Sequence, residues 1–363
     1  MKIAFRADAS IQIGTGHVMR CLTLAEELRR QGHACLFICR DHPGHLGGLI
    51  ESKGFELHML TGTEPVANDD QDNPHASWLG ATWQQDASQT LEVLTSVTVD
   101  WLVVDHYALD ARWERKVAVT VDRVMVIDDL ADREHECSLL LDQNVLENRV
   151  KQQYRSKVNT HCSLLLGPKY ALLRPEYAAL AKALPERDGI IDRVLIFVGG
   201  SDPYHLTECY LGTLARLEFS YLSVDVVIGI NHPSPGTVKQ LVNNRPKTRL
   251  YSGLPSLSAL MVRADLMLGA GGTTNWERMC LGLNAIVAST AKNQENCNDL
   301  LGEQQIFHFL GNAKYVSMGD FYVALNEVLV CPAKVSEQSN RMRAIVDGNG
   351  CEKICKILDV KCI

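Results

Sequence analysis

The chain has 363 residues, more than one hydrophobic core usually serves, so two domains are expected. Its net charge of -7, with no long basic run, argues against a nucleic-acid partner and leaves room for a small anionic ligand. Because no apolar stretch approaches the roughly 20 residues of a membrane span, and the start of the chain resembles no signal region, the sequence predicts a cytoplasmic protein without a membrane partner.

The first half alternates short apolar strands with helical patterns, which predicts βαβ units and a mostly parallel sheet. The predicted strands cover residues 3–6, 34–39, 55–59, 101–105, 123–127 and 138–141. A polar segment at residues 61–76 is predicted to be a long surface loop that borders a site.

The most informative stretch follows the first predicted strand, where Gly14 and Gly16 precede His17 and a helical pattern begins at Val18. Such a strand-to-helix loop lies at the carboxyl edge of a parallel sheet, where ligands collect. The loop lacks the third glycine of a dinucleotide fingerprint, so a dehydrogenase is disfavoured. His17 is a candidate general base, since histidine titrates near neutrality. The alternative is a helix-start residue that bonds nearby backbone.

The buried strand at residues 101–105 ends in polar side chains, as a strand that supplies a site does. Asp105, His106 and Tyr107 are therefore candidate site residues. The alternative is that Asp105 caps the next helix and Tyr107 packs its ring. Asp128 and Asp129 repeat the arrangement, one expected to bond backbone and the other to meet a sugar hydroxyl or amide.

A second alternation of strands and helices starts at residue 193, after a charged linker punctuated by proline and glycine at residues 184–190. The predicted domains are therefore 1–187 and 188–363, with a default ligand site in a cleft between their strand-end rims. Residues 340–357 are predicted to form one terminal helix, and whether it crosses back onto the first domain stays open.

Two polar clusters of the second half follow predicted strands. The Gly271–Glu277 run, which contains Gly272 and Thr273, offers backbone N–H groups and hydroxyls to a diphosphate. It lacks the lysine of a nucleoside-triphosphatase loop, so ATP hydrolysis is unsupported. Glu277 is placed to reach a ribose, or is an ordinary first-turn glutamate. Residues 292–296 form the other cluster, for which a solvated loop is the alternative.

The twelve cysteines are scattered through apparent core elements, and most are predicted to be small buried residues in a reducing compartment. There is no Cys-x-x-Cys pair and no Cys/His spacing of the zinc type. Neither a metal nor another cofactor is predicted.

Taken together, these motifs resemble the UDP-2,4-diacetamido-2,4,6-trideoxy-β-L-altropyranose hydrolase family of bacterial pseudaminic acid biosynthesis. The matching motifs cover residues 5–17, 104–107, 127–129, 199–202, 271–277 and 292–295. The resemblance implies a GT-B fold: two Rossmann-like α/β domains that face each other across a cleft, an N-terminal catalytic domain for the sugar and a C-terminal domain for UDP.

The resemblance also implies the chemistry, which is attack of water on the anomeric carbon and release of UDP without a metal. His17 matches the catalytic histidine of the family, and Tyr107 and Asn293 match its site tyrosine and asparagine. The amides near Gly272 and Thr273 would stabilise the departing diphosphate, and Glu277 would bind the ribose. The other predicted substrate contacts are Gly14, Gly16, Arg20, Asp105, Gly200, Ser201 and Glu295.

Three other functions stay open. A glycosyltransferase would use the same cleft but pass the sugar to an acceptor, and a hydrolysing UDP-sugar 2-epimerase would share the fold and the product UDP. A catalytically silent sensor of sugar nucleotides would bind UDP whether or not His17 were present.

Overall fold

The computed structural model describes residues 1–62, 73–229 and 231–360, and most of the predicted 61–76 loop lies outside the described residues. The chain divides into two compact units. Unit 1 comprises Met1–Arg174 and Asn349–Ile363, and unit 2 comprises Pro175–Gly348. The chain therefore leaves unit 1 after Arg174, earlier than the predicted boundary at 187, and returns to it after Gly348.

Thirteen strands lie in the described residues. Those of unit 1 are β1 (Lys2–Ala7), β2 (Ala34–Arg40), β3 (Glu56–Leu60), β4 (Trp101–Asp105), β5 (Arg123–Ile127), β6 (Leu139–Asp142) and β7 (Ser163–Leu166). Those of unit 2 are β8 (Arg193–Phe197), β9 (Ser223–Ile228), β10 (Thr248–Ser252), β11 (Leu266–Ala270), β12 (Asn284–Ser289) and β13 (His308–Asn312).

The α-helices follow the strands in alternation. Unit 1 begins with α1 (Gly16–Arg30), α2 (Gly47–Ser52), α3 (Trp83–Ser96), α4 (Ala111–Val117) and α5 (Asn148–Lys157). Unit 2 has α6 (Pro175–Ala183), α7 (Leu206–Leu214), α8 (Pro235–Asn244), α9 (Ser258–Arg263), α10 (Thr274–Cys280), α11 (Lys292–Glu303), α12 (Met318–Leu329) and α13 (Pro332–Ile345). The last helix, α14 (Gly350–Leu358), belongs to unit 1. None of the helices in the described ranges is long and apolar enough to cross a membrane.

Both sheets have parallel neighbours throughout their described strands, as the alternation predicts. Their orders are β3-β2-β1-β4-β5-β6-β7 in unit 1 and β10-β9-β8-β11-β12-β13 in unit 2. In each sheet the order changes direction at the first strand, because β1 lies between β2 and β4, and β8 lies between β9 and β11. Loops diverge at such a switch point and open a crevice at the carboxyl edge.

The central strands of both sheets are mostly apolar because both of their faces are covered. In unit 1, Phe5 and Val103 point to the face that α1 and α14 cover, while Ala4 and Leu102 point to the opposite face. This two-residue alternation gives unit 1 two hydrophobic layers, one on each side of the sheet. Unit 2 has a core of its own around β8, β9 and β11.

The prediction of one terminal helix at residues 340–357 is wrong, because α13 ends at Ile345 and α14 starts at Gly350. Gly348 lies between them with a φ of 77°, a left-handed conformation that interrupts a helix. A Cβ at this glycine would come within 3.0 Å of Ala178 Cα, so the chain turns in close contact with α6. The helix after the turn covers unit 1, where Ile354 and Leu358 are fully buried.

Candidate active site

The switch point of unit 1 gathers the residues that the sequence singles out in the first half. His17 lies in the first turn of α1, Asp105 is the last residue of β4, and Tyr107 follows two residues later. Asp129 follows β5, the next strand in the sheet. All four side chains lie at or after the carboxyl ends of three neighbouring parallel strands, β1, β4 and β5, and therefore at one edge of the sheet.

His17 and Asp105 form a close pair, with 2.6 Å between His17 Nδ1 and Asp105 Oδ1. The Asp105 side chain is completely buried, and His17 is only 6% exposed. Burial opposes ionisation of Asp105, but the positive charge of Arg20 and the contact with His17 outweigh it and hold the pKa of this carboxyl well below its ordinary range. An ionised carboxylate accepts the Nδ1 proton, so Nε2 of the neutral ring is left as a proton acceptor.

Arg20 lies one helical turn after His17 and engages the same carboxylate with two nitrogens. Its Nε and one terminal nitrogen each lie 2.6 Å from an Asp105 oxygen, and its other terminal nitrogen donates to Asp129 Oδ2 at 3.2 Å. Arg20, a predicted substrate contact, is therefore an ion-pair partner of two buried or nearly buried aspartates. This bidentate geometry fixes the orientation of Asp105 towards His17.

Tyr107 completes the network from the other side. Its hydroxyl donates to Asp129 Oδ1 at 2.5 Å, and its ring meets the His17 ring edge-on with centroids 4.6 Å apart. Asp129 thus links Tyr107 to Arg20. Asp128, in contrast, accepts the backbone N–H of Ala131 and is a structural residue. The sequence indicates that one of these two aspartates bonds backbone and the other lies in the site, but it does not distinguish between them.

The glycines of the opening motif shape the loop in front of His17. Gly14 has a φ of 81°, and its N–H donates to the carbonyl of Ser10 at 2.8 Å, which closes a tight turn. Apart from their chain neighbours and the backbone of α1, no described atom lies within 4 Å of where a Cβ would stand at Gly14 or Gly16. The loop therefore leaves its backbone open to a ligand beside the imidazole.

The motif residues Arg6 and Asp8 have a structural role beneath the site. Their side chains are fully buried and paired, and Arg6 also donates to Asp86 of α3 at 2.6 Å. Arg40 at the end of β2 binds Asp86 at 2.7 Å, so two arginines neutralise two aspartates. This network ties the carboxyl ends of β1 and β2 to α3 and so supports the edge on which the site stands.

In unit 2, the loop after β8 carries Gly199, Gly200 and the exposed Ser201. Asp202 then accepts the N–H groups of Leu206 and Thr207, at 2.9 and 2.8 Å, and so begins α7. The loop after β9 packs directly on this turn, since a Cβ at Gly229 would lie 2.1 Å from the Gly200 carbonyl oxygen.

The loop after β11 forms the other side of the unit 2 switch point. A Cβ at Gly271 would overlap Asn298 of α11, whose Oδ1 accepts a hydrogen bond from Asn275 Nδ2 at 2.8 Å. Gly272 is more open, because its nearest neighbour would be Gln294 Nε2 at 3.6 Å. Thr273 next to it is exposed, so these two residues present backbone at the carboxyl edge of β11.

The remaining predicted residues of unit 2 lie on the first turns of α10 and α11. Glu277 is partly buried on α10, and Asn293 is exposed on α11. Glu295 is turned towards β13, where its Oε1 accepts a hydrogen bond from Asn312 Nδ2 at 2.6 Å. The three predicted catalytic residues are thus divided, with His17 and Tyr107 in unit 1 and Asn293 in unit 2.

One group of acidic and histidine side chains in the described residues, Asp202, Glu208 and His232, is close enough to hold a metal. However, His232 Nδ1 accepts the Ser234 N–H at 3.1 Å, so the neutral ring carries its proton on Nε2, the atom nearest the carboxylates. A proton there suits a charge-assisted contact with Asp202 and Glu208 better than metal ligation, which needs a free Nε2 lone pair.

No family model matches the chain. It is 23% identical over 82% of its length to the UDP-2,4-diacetamido-2,4,6-trideoxy-β-L-altropyranose hydrolase of Campylobacter jejuni, covering 94% of that protein. It is 22% identical over 99% of its length to the spore coat polysaccharide biosynthesis protein SpsG of Bacillus subtilis, covering 98% of it. An uncharacterized protein of Methanocaldococcus jannaschii is 22% identical over 82% of the chain, which spans 58% of that relative's length.

Solved structures match over nearly the whole chain. MurG of Acinetobacter baumannii superposes with a TM-score of 0.66 at 13% identity, with 98% of this chain and 99% of MurG covered. The UGT71G1 structure of Medicago truncatula, a complex with UDP-glucose, gives a TM-score of 0.61 at 14% identity, with 98% of each chain covered. The resemblance and the fold expected from the sequence motifs are therefore confirmed: the chain has the GT-B fold of two Rossmann-like α/β units and is similar to the UDP-diacetamido-trideoxy-altropyranose hydrolase.

Proposed function

We propose that this protein hydrolyses UDP-2,4-diacetamido-2,4,6-trideoxy-β-L-altropyranose to UDP and the free sugar, without a metal. The observation that carries the proposal is the buried His17–Asp105 pair at the carboxyl edge of unit 1. Similarity to the Campylobacter hydrolase supports the choice of substrate and its place in pseudaminic acid biosynthesis.

In the proposed reaction, His17 Nε2 takes a proton from water while the water oxygen bonds to the anomeric carbon. The bond between that carbon and the UDP oxygen breaks, and its electron pair leaves with the diphosphate. General-base catalysis of this kind contributes roughly 10² to 10⁴ in rate. Asp105 stabilises the imidazolium as it forms and keeps the ring in the tautomer with Nε2 free.

Negative charge grows on the departing diphosphate, and the proposal assigns its stabilisation to unit 2. Main-chain amides of Gly272 and Thr273 are the proposed donors, with Gly200 and Ser201 on the neighbouring loop. Glu277 is the proposed ribose ligand. Tyr107 and Asn293 complete the proposed catalytic set, in which Tyr107 is already oriented by Asp129.

The alternative that a specific observation favours is transfer of the sugar to an acceptor. Glycosyltransferases stand among the solved structures with the same fold, for example the glycosyltransferase of kitacinnamycin, at a TM-score of 0.65 and 16% identity. The same histidine would then take its proton from an acceptor hydroxyl rather than from water. A hydrolysing 2-epimerase would instead return a sugar altered at C2.

The decisive experiment is release of UDP from the proposed substrate in ¹⁸O-labelled water with no acceptor present. Hydrolysis at the anomeric carbon puts ¹⁸O into the free sugar and none into UDP. His17→Ala is expected to lower kcat by about 10² or more with little change in thermal stability, whereas His45→Ala, a partly exposed histidine elsewhere in unit 1, serves as the control. UDP release that begins only when an acceptor is added would assign a transferase instead.

The cytoplasm is the proposed location. The sulfur atoms of Cys137 and Cys162 lie 3.5 Å apart, in hydrogen-bonding contact and not in a disulfide, as suits a reducing compartment.

A further inference from the structure

An aromatic wall stands beside the His17–Asp105 pair. It consists of His75, Trp78 and Tyr107, whose ring centroids lie 4.7 Å apart for His75–Trp78, 5.4 Å for His75–Tyr107 and 5.8 Å for Trp78–Tyr107. Since the Tyr107 ring also meets His17 edge-on, the rings form a continuous row that ends on the proposed base. The hydrolysis mechanism uses Tyr107 but has no task for His75 or Trp78.

The backbone that carries the wall is held at both ends. Asn73, which is 1% exposed, donates from Nδ2 to the Tyr107 carbonyl at 3.1 Å and accepts the His75 N–H at 2.9 Å. At the other end Gly80 has a φ of 66°, and a Cβ there would lie 2.7 Å from His42. A segment fixed in this way presents its rings in one arrangement before any ligand binds.

The wall also keeps apolar surface available. Tyr107 is almost fully buried, whereas His75 and Trp78 are only partly buried. Burial lowers the pKa of His75, so its ring is uncharged near pH 7. Partly exposed, fixed aromatic rings bind the apolar parts of a ligand, because such contact removes apolar surface from water at little entropic cost.

We propose that Trp78 and His75 select the sugar, by packing on the methyl groups of a deoxy, acetamido-substituted hexose. The identity of the sugar rests on the proposed function. A trideoxy diacetamido sugar carries a methyl group at C6 and one in each acetamido group, and the rings cover such groups well. A sugar with hydroxyl groups at C4 and C6 would place hydroxyls against carbon surface, where they lose their water partners.

The test compares two nucleotide sugars in variants of one ring. Trp78→Leu is expected to raise KM for the trideoxy diacetamido substrate about tenfold or more, with kcat changed much less, while activity on UDP-N-acetylglucosamine changes little. Trp78→Phe should restore most of the selectivity. The matched control is Trp83→Leu, because Trp83 is a partly buried tryptophan of unit 1 that packs against Arg112 instead of Tyr107. Equal losses on both sugars, or a fall in kcat alone, would mean that Trp78 only supports Tyr107 and would overturn the proposal.

A binding measurement separates this proposal from the proposed reaction. In the His17→Ala background, calorimetry gives the dissociation constants of UDP and of the intact diacetamido nucleotide sugar, and their ratio is the contribution of the sugar. That ratio should fall about tenfold when Trp78→Leu is added. If the wild type releases no UDP but the ratio still falls, the proposed hydrolase function is wrong and the proposed role of Trp78 in sugar binding is supported. If the wild type hydrolyses the nucleotide sugar but the ratio is unchanged, the role of Trp78 is wrong and the hydrolase function is supported.

Discussion

Asp105 is where the charges of the unit 1 site meet, since His17 and Arg20 both bind its fully buried carboxylate. Asp105→Asn keeps the size of the side chain but removes the charge that both partners need. Loss of a buried ion-pair partner costs roughly 3 kcal/mol in free energy of unfolding, and an amide no longer enforces the His17 tautomer. We expect turnover to fall about 10²-fold or more, measured with UDP release alongside urea denaturation at pH 7.

The same substitution carries a pH signature. Because the pKa of Asp105 is held low in the folded protein, its contribution to stability is present above the unfolded pKa of about 3.9 and is lost as pH falls through the folded pKa. The stability difference between wild type and Asp105→Asn should therefore be about 1 kcal/mol smaller at pH 3 than at pH 7.

Asp142 is the matched control, because burial and the nearby Asp129 raise the pKa of its carboxyl well above the ordinary value. The contribution of Asp142 to stability is complete below its unfolded pKa and is lost as pH rises through its folded pKa. The stability difference between wild type and Asp142→Asn should therefore change with pH in the opposite direction to that of Asp105→Asn. Parallel pH profiles for the two variants would contradict the ionised state of Asp105.

The loop between β11 and α10 holds two glycines with different surroundings. Gly271 packs against Asn298, whereas Gly272 is open to a ligand. Gly272→Ala adds a methyl group 3.6 Å from Gln294 Nε2, an ordinary contact distance, so stability should change little. The affinity for UDP, measured by calorimetry, should fall about tenfold if phosphate approaches this backbone. Gly271→Ala pushes a methyl group into Asn298 and should lower stability by about 2 kcal/mol. Unchanged UDP affinity in Gly272→Ala would remove this loop from the diphosphate site.

The positions of the loops after β1 and β11 are predictable from the sequence, because a buried parallel strand followed by glycine and polar residues is typical of a ligand loop at the carboxyl edge of a sheet. It does not predict β7 or β13, two edge strands whose apolar runs are short, with three leucines at residues 164–166 and two apolar residues at 309–310. At the site, strand ends point to Asp105 and Tyr107, but the choice between Asp128 and Asp129 depends on which neighbours each side chain meets. Trp78 carries no signal in the sequence, since its partner Tyr107 is distant along the chain and the contact exists only after folding.

For the whole molecule, the return of the chain to unit 1 has the largest consequence. Helix α14 follows all of unit 2 in sequence, yet Ile354 is fully buried in the unit 1 core, and Trp101 Nε1 of β4 donates to the Leu358 carbonyl at 3.2 Å. Unit 1 therefore cannot complete its core until the last helix has been synthesised.

Ile354→Ala tests this dependence, since loss of a buried isoleucine side chain costs about 2–5 kcal/mol. Hydrogen exchange followed by mass spectrometry should show faster exchange in β1 and β4 and none of that change in β11 and β12. Ile286→Ala, an equally buried isoleucine of the unit 2 core, should give the reverse pattern. If Ile354→Ala instead loosened only unit 2, α14 would not be part of unit 1. Because α14 packs on the face of the sheet that carries α1, the helix whose first turn holds His17, loosening it should also lower turnover, although Ile354 is not itself a proposed catalytic residue.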